Sequence, residues 1–279
     1  MESLFQRFFG DIKYDGLFKK LDLWCKDNIK LPGICGFKDV VLADYDRLVS
    51  IREYLSKNSN LDFPPRLQSY IYYTLYRKKF DRQLFIESLR VEACPYCNTE
   101  YLFYYKNKSN YQIDHFYPRG IYPLLTVSFC NLIPGCYACN LHKGEREIDY
   151  NPHNNRYKNS DEILKFFFWC SELNSYNPKS IHIGIIPLDK IIKKNIETFN
   201  LDELYEKYKF EIVNLMKKRR IYSEEAVDDL YKNFPDLFKS KKEIYRLIFG
   251  TSFENDDDIK NPLAKFRRDI FRQFDAMID

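Results

Sequence analysis

Hydrophobic positions recur at helical spacing through the first third of the chain. Leu17, Leu21 and Trp24 fall three and four residues apart, and Pro32-Gly33 breaks the run. A second helix is expected from Lys38 to about Ser56, closed by a Lys-Asn-Ser-Asn turn and Pro64-Pro65. A third, over about Arg66 to Glu92, carries Tyr70, Tyr72, Tyr73 and Tyr76, followed by Arg77, Lys78, Lys79 and Arg82. The pattern then shortens. FYYKNKSNYQI reads as a hairpin with Asn107 to Asn110 at its turn, and Tyr137 to Glu145 as a short helix. After the polar loop NPHNNRYKNSDE, the runs ILKFFFWC and SIHIGIIPL read as two strands, expected to continue the preceding sheet. From Asp189 the period is helical again. Thr198 to Asp202 is expected to start a helix capped by Asn200 or Asp202, which runs on through LYEKYKFEIVNLMKKRR with a Glu203–Lys207 pair. Further helices are expected over 223–233, 240–249 and 260–276, with Asp256 to Asp258 in a solvated loop. The expected class is α+β, in three regions: helical 1–90, a small strand-and-helix region 91–150, and a strand pair with helices over 151–279.

Composition narrows the function classes. A chain of 279 residues makes one large domain or two small ones. With 23 Tyr and 23 Phe it has the aromatic content of a folded protein rather than a disordered one. A net charge of +4 is too mild to argue nucleic-acid binding by itself. MESLFQRFFGDIKYDG lacks a basic start followed by an apolar run, so no signal peptide is expected, and no apolar run reaches the length of a membrane span. The expected location is cytoplasmic, with Cys25, Cys35, Cys130 and Cys170 as reduced core residues. There is no internal repeat and no Walker-type phosphate loop, so the chain is not expected to hydrolyse ATP itself.

The candidate chemistry lies between Cys94 and Gly144, in CPYC, IDHFYPRG and NLIPGCYACNLHKG. Cys94, Cys97, Cys136 and Cys139 form two Cys-x-x-Cys pairs. The two-residue gap lets both sulfurs of a pair reach one ion from a tight turn, and four thiolates suit tetrahedral zinc. A disulfide set or four unrelated core cysteines is the competing reading; the missing secretion signal weighs against it. Asp114-His115 ends a strand-like run. A regular strand would send the two side chains to opposite faces, so the strand is expected to end or bulge there if both serve one site. Asn140, Lys143 and Gly144 share one helix face, and a strand packed on that face would bring Asp114 and Asn140 together.

These motifs resemble the HNH nuclease family, the ββα-metal or His-Me finger. The matching residues are Cys94, Cys97, Asp114, His115, Asn131, Leu132, Cys136, Cys139, Asn140, Lys143 and Gly144, within about fifty positions. The resemblance implies a zinc-stapled ββα-metal finger at 91–150, flanked by helical regions. It implies structural Zn²⁺ on the four cysteines and a catalytic Mg²⁺ or Mn²⁺ on Asp114 and Asn140. His115 is then the general base that deprotonates water, and Asn131 fixes the loop and orients the histidine. The downstream segment NIETFNLDELYEKYKFEIVNLMKKRR is similar to nuclease subunits of the Septu (PtuB) antiphage type. That likeness implies a nuclease acting on nucleic acid, DNA favoured, beside an ABC-type ATPase partner. The flanking helices would then serve as a partner dock or a homodimer surface.

Each residue also has a plainer reading. Asp114-His115 alone would be a strand-end pair, and Asn131 a turn residue. Lys143 and Arg119 are either phosphate contacts or solvated charges. The tyrosine-rich helix with Arg77, Lys78 and Lys79 reads as a nucleic-acid grip or, more simply, as an aromatic core face backed by a solvated basic face. His142, His153 and His182 are given no role. At the level of the whole chain, the alternatives to a defence nuclease are a non-catalytic zinc-stapled binding module for nucleic acid or a partner, and a stand-alone restriction-type HNH enzyme.

Overall fold

Capping side chains decide where the first helices begin. The computed structural model describes residues 2–10, 15–105, 108–154, 160–172, 176–251 and 258–275. They fall into two units, one of residues 1–91 with 102–156, the other of 92–101 with 157–279. The N-terminal helices and most of the 91–150 region therefore share a unit, while the short segment around the first cysteine pair folds with the C-terminal part.

In the first unit, α1 (Glu2–Phe9) is followed by α2 (Gly16–Asn28), whose start is capped by the Asp15 carboxylate. The helix expected from 38 to 56 is two, α3 (Phe37–Val41) and α4 (Tyr45–Lys57). Asp44 causes the break: its backbone is extended and its Oδ1 accepts from the Arg47 amide at 3.0 Å, which starts a new helix. The long helix expected from 66 to 92 is likewise divided. Its pieces are α5 (Pro65–Ser69), a π-helix (Tyr70–Lys79) and α6 (Arg82–Leu89), the last capped by Asp81 and ended by Arg90 in the left-handed region at φ 53°. The π-helix closes with the Phe80 amide donating to the Leu75 carbonyl at 2.8 Å. Its wider turn lines up the rings of Tyr72, Tyr76 and Phe80, with centroids 6.1 and 6.2 Å apart. Phe8, Phe9, Phe80, Phe85 and Phe129 form the aromatic core beside it, Phe8 meeting Phe129 edge-on at 5.0 Å.

The strands that follow pair differently from the expected hairpin. β1 (Tyr104–Tyr105) pairs with β2 (Lys108–Ser109), so two of the residues assigned to the turn lie in the ladder. Residues 106 and 107 lie outside the described residues. β3 (Tyr111–His115) instead pairs antiparallel with β4 (Leu132–Cys136), from Tyr111↔Cys136 to His115↔Leu132. α7 (Tyr137–Lys143) leaves β4 directly and lies against both strands, and Gly144 ends it at φ +52°.

In the second unit, residues 92–101 turn back on themselves through an Ala93–Tyr101 bridge. Leu263 and Ile259 hold the segment by its backbone. β5 (Leu164–Cys170) and β6 (Ile181–Pro187) form the expected hairpin, but as a two-stranded sheet of their own rather than a continuation of β3–β4. Then come α8 (Lys193–Thr198), α9 (Leu201–Tyr205), α10 (Lys209–Ile221), α11 (Glu224–Asn233), α12 (Lys241–Phe249) and α13 (Ala264–Asp275). Neither expected cap operates at α9: Asn200 is left-handed at φ 49° and makes no side-chain cap bond, and Asp202 is already inside the first turn. α13 lies on β5, where Asp269 accepts from the Phe166 amide at 2.9 Å.

Beneath that contact runs a buried ion network. Lys265 binds Asp269 and Asp161, and the fully buried Arg268 binds Asp258 and Asp161. Asp258 therefore does not sit in a solvated loop. A buried guanidinium requires a carboxylate partner, and Asp258 supplies one; Asp256 and Asp257 lie outside the described residues. Of the four cysteines expected in the core, Cys25 is buried, Cys130 and Cys170 are half-buried, and Cys35 is exposed. The fold is α+β, many helices with small antiparallel sheets. No described helix is long and apolar enough to cross a membrane.

Candidate functional site

Tight turns present the thiols. After Cys94, the Asn98 amide donates to the Cys94 carbonyl at 2.7 Å and the Cys94 amide to the Glu100 carbonyl at 2.9 Å, with Asn98 left-handed at φ 53°. Thr99 Oγ1 donates to Cys97 Sγ at 3.2 Å, and the buried Tyr205 hydroxyl holds the Cys97 carbonyl at 2.7 Å. Cys136 ends β4 and caps α7, its sulfur accepting from the Cys139 amide at 3.5 Å. All four cysteines are buried, and their sulfurs lie within 4.8 Å of one another. Tetrahedral Zn–S bonds of about 2.3 Å place sulfurs about 3.8 Å apart, so the donor set and its spacing fit one structural metal ion.

The strand–strand–helix unit carries the remaining candidates. β3 does not bulge; it stays in register through His115 and ends there, one of the two outcomes expected. The two side chains therefore diverge as a regular strand requires. Asp114 is buried and accepts from Lys143 Nζ at 3.1 Å, while that ammonium also donates to the His115 carbonyl at 2.7 Å. Lys143 has no exposed surface, so it is not a solvated charge, and its ammonium is directed at β3. Burial pulls the ammonium below its ordinary pKa, and the Asp114 charge opposes that shift. Asn140 donates its side-chain amide to the Gln112 carboxamide. Gln112 and Asp114 are two apart on β3 and hence on one face, so α7 sets Asn140 on the Asp114 side of the strand. A carboxylate and an amide oxygen are hard donors, of the kind Mg²⁺ or Mn²⁺ takes. Lys143 shares that carboxylate.

His115 faces the other way. Its Nε2 lies 3.1 Å from the Thr126 carbonyl and its ring 5.0 Å from Tyr76. A carbonyl can only accept, so Nε2 carries the proton and Nδ1 keeps the lone pair. Burial, with lesser contributions from the nearby Arg119, Lys143 and Arg82 charges, pushes the imidazole pKa down to about 3. The histidine is thus a neutral base at any ordinary pH.

Asn131 is fully buried and fastens the connecting loop at two places. Its Oδ1 accepts from the Tyr117 amide at 2.7 Å, and its Nδ2 donates to the Tyr117 and Leu125 carbonyls at 3.2 and 3.0 Å. Leu125 precedes Thr126, whose carbonyl holds His115, so Asn131 positions the histidine through two residues of backbone. Arg52, ion-paired to Glu147, lies against the rings of Tyr117 and Tyr122 and braces the same loop.

The cationic candidates separate. Arg119 is exposed, with its guanidinium 4.1 Å from the Tyr72 ring centroid, and Arg77 approaches the same ring at 6.0 Å. Lys78 and Lys79 are exposed as well. The aromatic-core reading of this helix holds for Tyr70 and Tyr76, which are buried, but not for Tyr73, which is largely exposed. Of the remaining histidines, His142 is exposed and His182 stacks on Trp169. His153 is half-buried, with Nε2 3.1 Å from the Leu132 carbonyl and a pKa that burial lowers. Sequence reasoning missed Gln112 and the Thr126 carbonyl, and did not connect Tyr76 with His115. Only Gln112 left a signal, the two-residue step from Asp114.

The fold and site define an α+β protein with a buried four-cysteine cluster that could hold a metal ion and a buried Asp–Lys pair, beside a neutral histidine. No protein-family model, curated protein or solved structure matches the chain.

Proposed function

We propose that this protein is a metal-dependent HNH-type endonuclease that hydrolyses phosphodiester bonds of nucleic acid, with DNA the favoured substrate. In this reading β3, β4 and α7 are the ββα-metal finger, and the four cysteines hold a structural Zn²⁺. The observation that carries it is the antiparallel β3–β4 pair running directly into α7, with Asp114, His115, Asn131 and Asn140 on these elements or at their ends. His115 takes the proton of the attacking water at Nδ1. Asn131 keeps the imidazole in that tautomer through Leu125 and Thr126. Asp114 and Asn140 would hold Mg²⁺ or Mn²⁺, which supplies charge stabilisation to the phosphate and the leaving oxygen. The setting that best suits the chain is cytoplasmic antiphage defence beside an ABC-type ATPase, with the helices outside the finger as the docking or dimer surface.

A second reading rests on a specific contact. Lys143 already neutralises Asp114, and Asn140 is engaged by Gln112, which favours a zinc-stapled binding module without catalysis. Mn²⁺ titration of the zinc-loaded protein, followed by electron paramagnetic resonance, separates the two. The nuclease reading expects one saturable site that Asp114→Asn weakens at least tenfold, as loss of a charged ligand should. Identical binding by wild type and Asp114→Asn would contradict it.

A further inference from the structure

A cavity of about 730 Å³ opens beside the candidate site, wholly within the first unit. Its volume lies within the roughly 300–1,000 Å³ usual for ligand sites. Tyr76, Arg77, Arg82, Tyr104, Tyr111 and Gln112 are among the residues that line it. Two of them lead to the candidate chemistry: the Tyr76 ring lies against His115, and Gln112 holds Asn140. Its charge is chiefly cationic. Arg77 and Arg82 are exposed, and neither is ion-paired to a carboxylate among the described residues. The Arg82 guanidinium lies 4.6 Å from the Tyr76 ring centroid, a planar cation already stacked on an aromatic face. The lining acid, Asp81, is engaged as the α6 cap through the Leu84 amide. On β1, Tyr104 lines the cavity and is 40% exposed, and its chain neighbours Phe103 and Tyr105 are exposed by 56% and 64%. An exposed ring on the lining suits a planar partner.

We propose that this cavity and its hairpin hold unpaired nucleotides, so that the substrate is a single-stranded or locally opened nucleic acid. The proposal deepens the nuclease reading and rests on it for the fate of the bound strand. In a duplex, each base has its faces covered by neighbours and its edge by its partner. A recess lined with rings and guanidinium planes engages only a base that has left the stack, whereas exposed arginines take the backbone phosphates of any strand. A strand seated on Tyr104 and Arg77 passes Gln112 and so reaches the stretch that carries Asp114 and His115.

The test is fluorescence anisotropy with labelled oligonucleotides of about 12 residues, within the span of known single-strand sites. The full-length, zinc-loaded His115→Ala protein is used without added Mg²⁺ or Mn²⁺. Single-stranded DNA, single-stranded RNA, the matching duplex and a mononucleotide are compared. A single strand should bind at least about tenfold tighter than duplex or mononucleotide, since stacking adds over successive bases; the tighter of DNA and RNA then identifies the sugar. Tyr104→Ala should weaken strand binding at least about fivefold, and Tyr104→Phe, which keeps the ring, should stay within about twofold of the parent. Arg77→Gln should weaken binding and flatten its salt dependence. Equal affinity for duplex and single strand, or an unchanged affinity in Tyr104→Ala, overturns the proposal. Cleavage by the wild-type protein with Mn²⁺ is scored separately. Duplex cutting without strand preference removes this inference and leaves the nuclease, and strand-selective binding without cutting does the reverse.

Discussion

Replacing Lys143 with methionine keeps the length of the side chain and removes its charge, leaving the buried Asp114 carboxylate without its cation. Lys143 has no solvent exposure and Asp114 only 5%, so water cannot take over the lost contact. Breaking a buried pair from one side typically costs about 3–5 kcal/mol, because the remaining charge stays desolvated. The bond to the His115 carbonyl goes too, a charged hydrogen bond of about 1.5–3 kcal/mol. Asp114→Asn should cost a similar amount by stranding the ammonium. The double variant removes both charges and should be less destabilised than the two singles added together, by at least about 2 kcal/mol. Urea unfolding measures this. Trp24 lies in the first unit and Trp169 in the second, so a Trp169→Phe background makes the fluorescence report the unit that holds the pair. Additivity within about 0.5 kcal/mol, or a cost below about 1 kcal/mol for Lys143→Met, would mean that the two charges are not coupled in the fold.

Three further outcomes follow from the same geometry. Purified protein should carry one zinc per chain by elemental analysis, and Cys136→Ser should lose the metal and unfold more readily; full stability after complete chelation would count against the four-cysteine centre. His115 should remain neutral well below pH 6.5: its folded pKa, near 3, lies under the ordinary value, so any stability linked to it is complete above pH 6.5 and is lost as pH falls toward 3. Imidazole nitrogen shifts recorded by NMR between pH 8 and 5 should show no midpoint for this residue. In the second unit, Arg268→Met should cost about 3–5 kcal/mol by removing the cation from Asp258, while Asp161 keeps Lys265 and Arg272; the cost is read from Trp169 fluorescence in a Trp24→Phe background.

The thiol pairs were legible because a metal knuckle is set by covalent spacing, which a sequence displays directly. Helix starts were half legible. Asp44 and Asp81 are ordinary capping residues, yet each lies inside a run whose apolar period continues across it, so periodicity masked the break. Nothing local in YIYYTLYRKK marks a π-helix, because the wider turn is chosen by the rings it stacks. The partner of β3 was hidden for another reason. A nearby turn suggested β1, but the fully buried Leu132–Cys136 segment covers more of β3, and that is a tertiary preference. Lys143 shows the limit most clearly. A lysine beside a glycine at a helix end reads as a solvated charge or a phosphate contact, and only the placement of α7 on β3 turns it inward to Asp114.

The proposed role of His115 as the base of a nuclease is open to a plasmid cleavage assay. Wild type and His115→Ala, both zinc-loaded and matched by circular dichroism, are incubated with supercoiled DNA and Mg²⁺ or Mn²⁺, alone and with any ATPase encoded beside the gene. Wild type should cut under at least one of these conditions, and the variant should lose at least about a hundredfold, the low end for removal of a general base. Cleavage by His115→Ala at the wild-type rate, or none by wild type in every condition, would contradict that role.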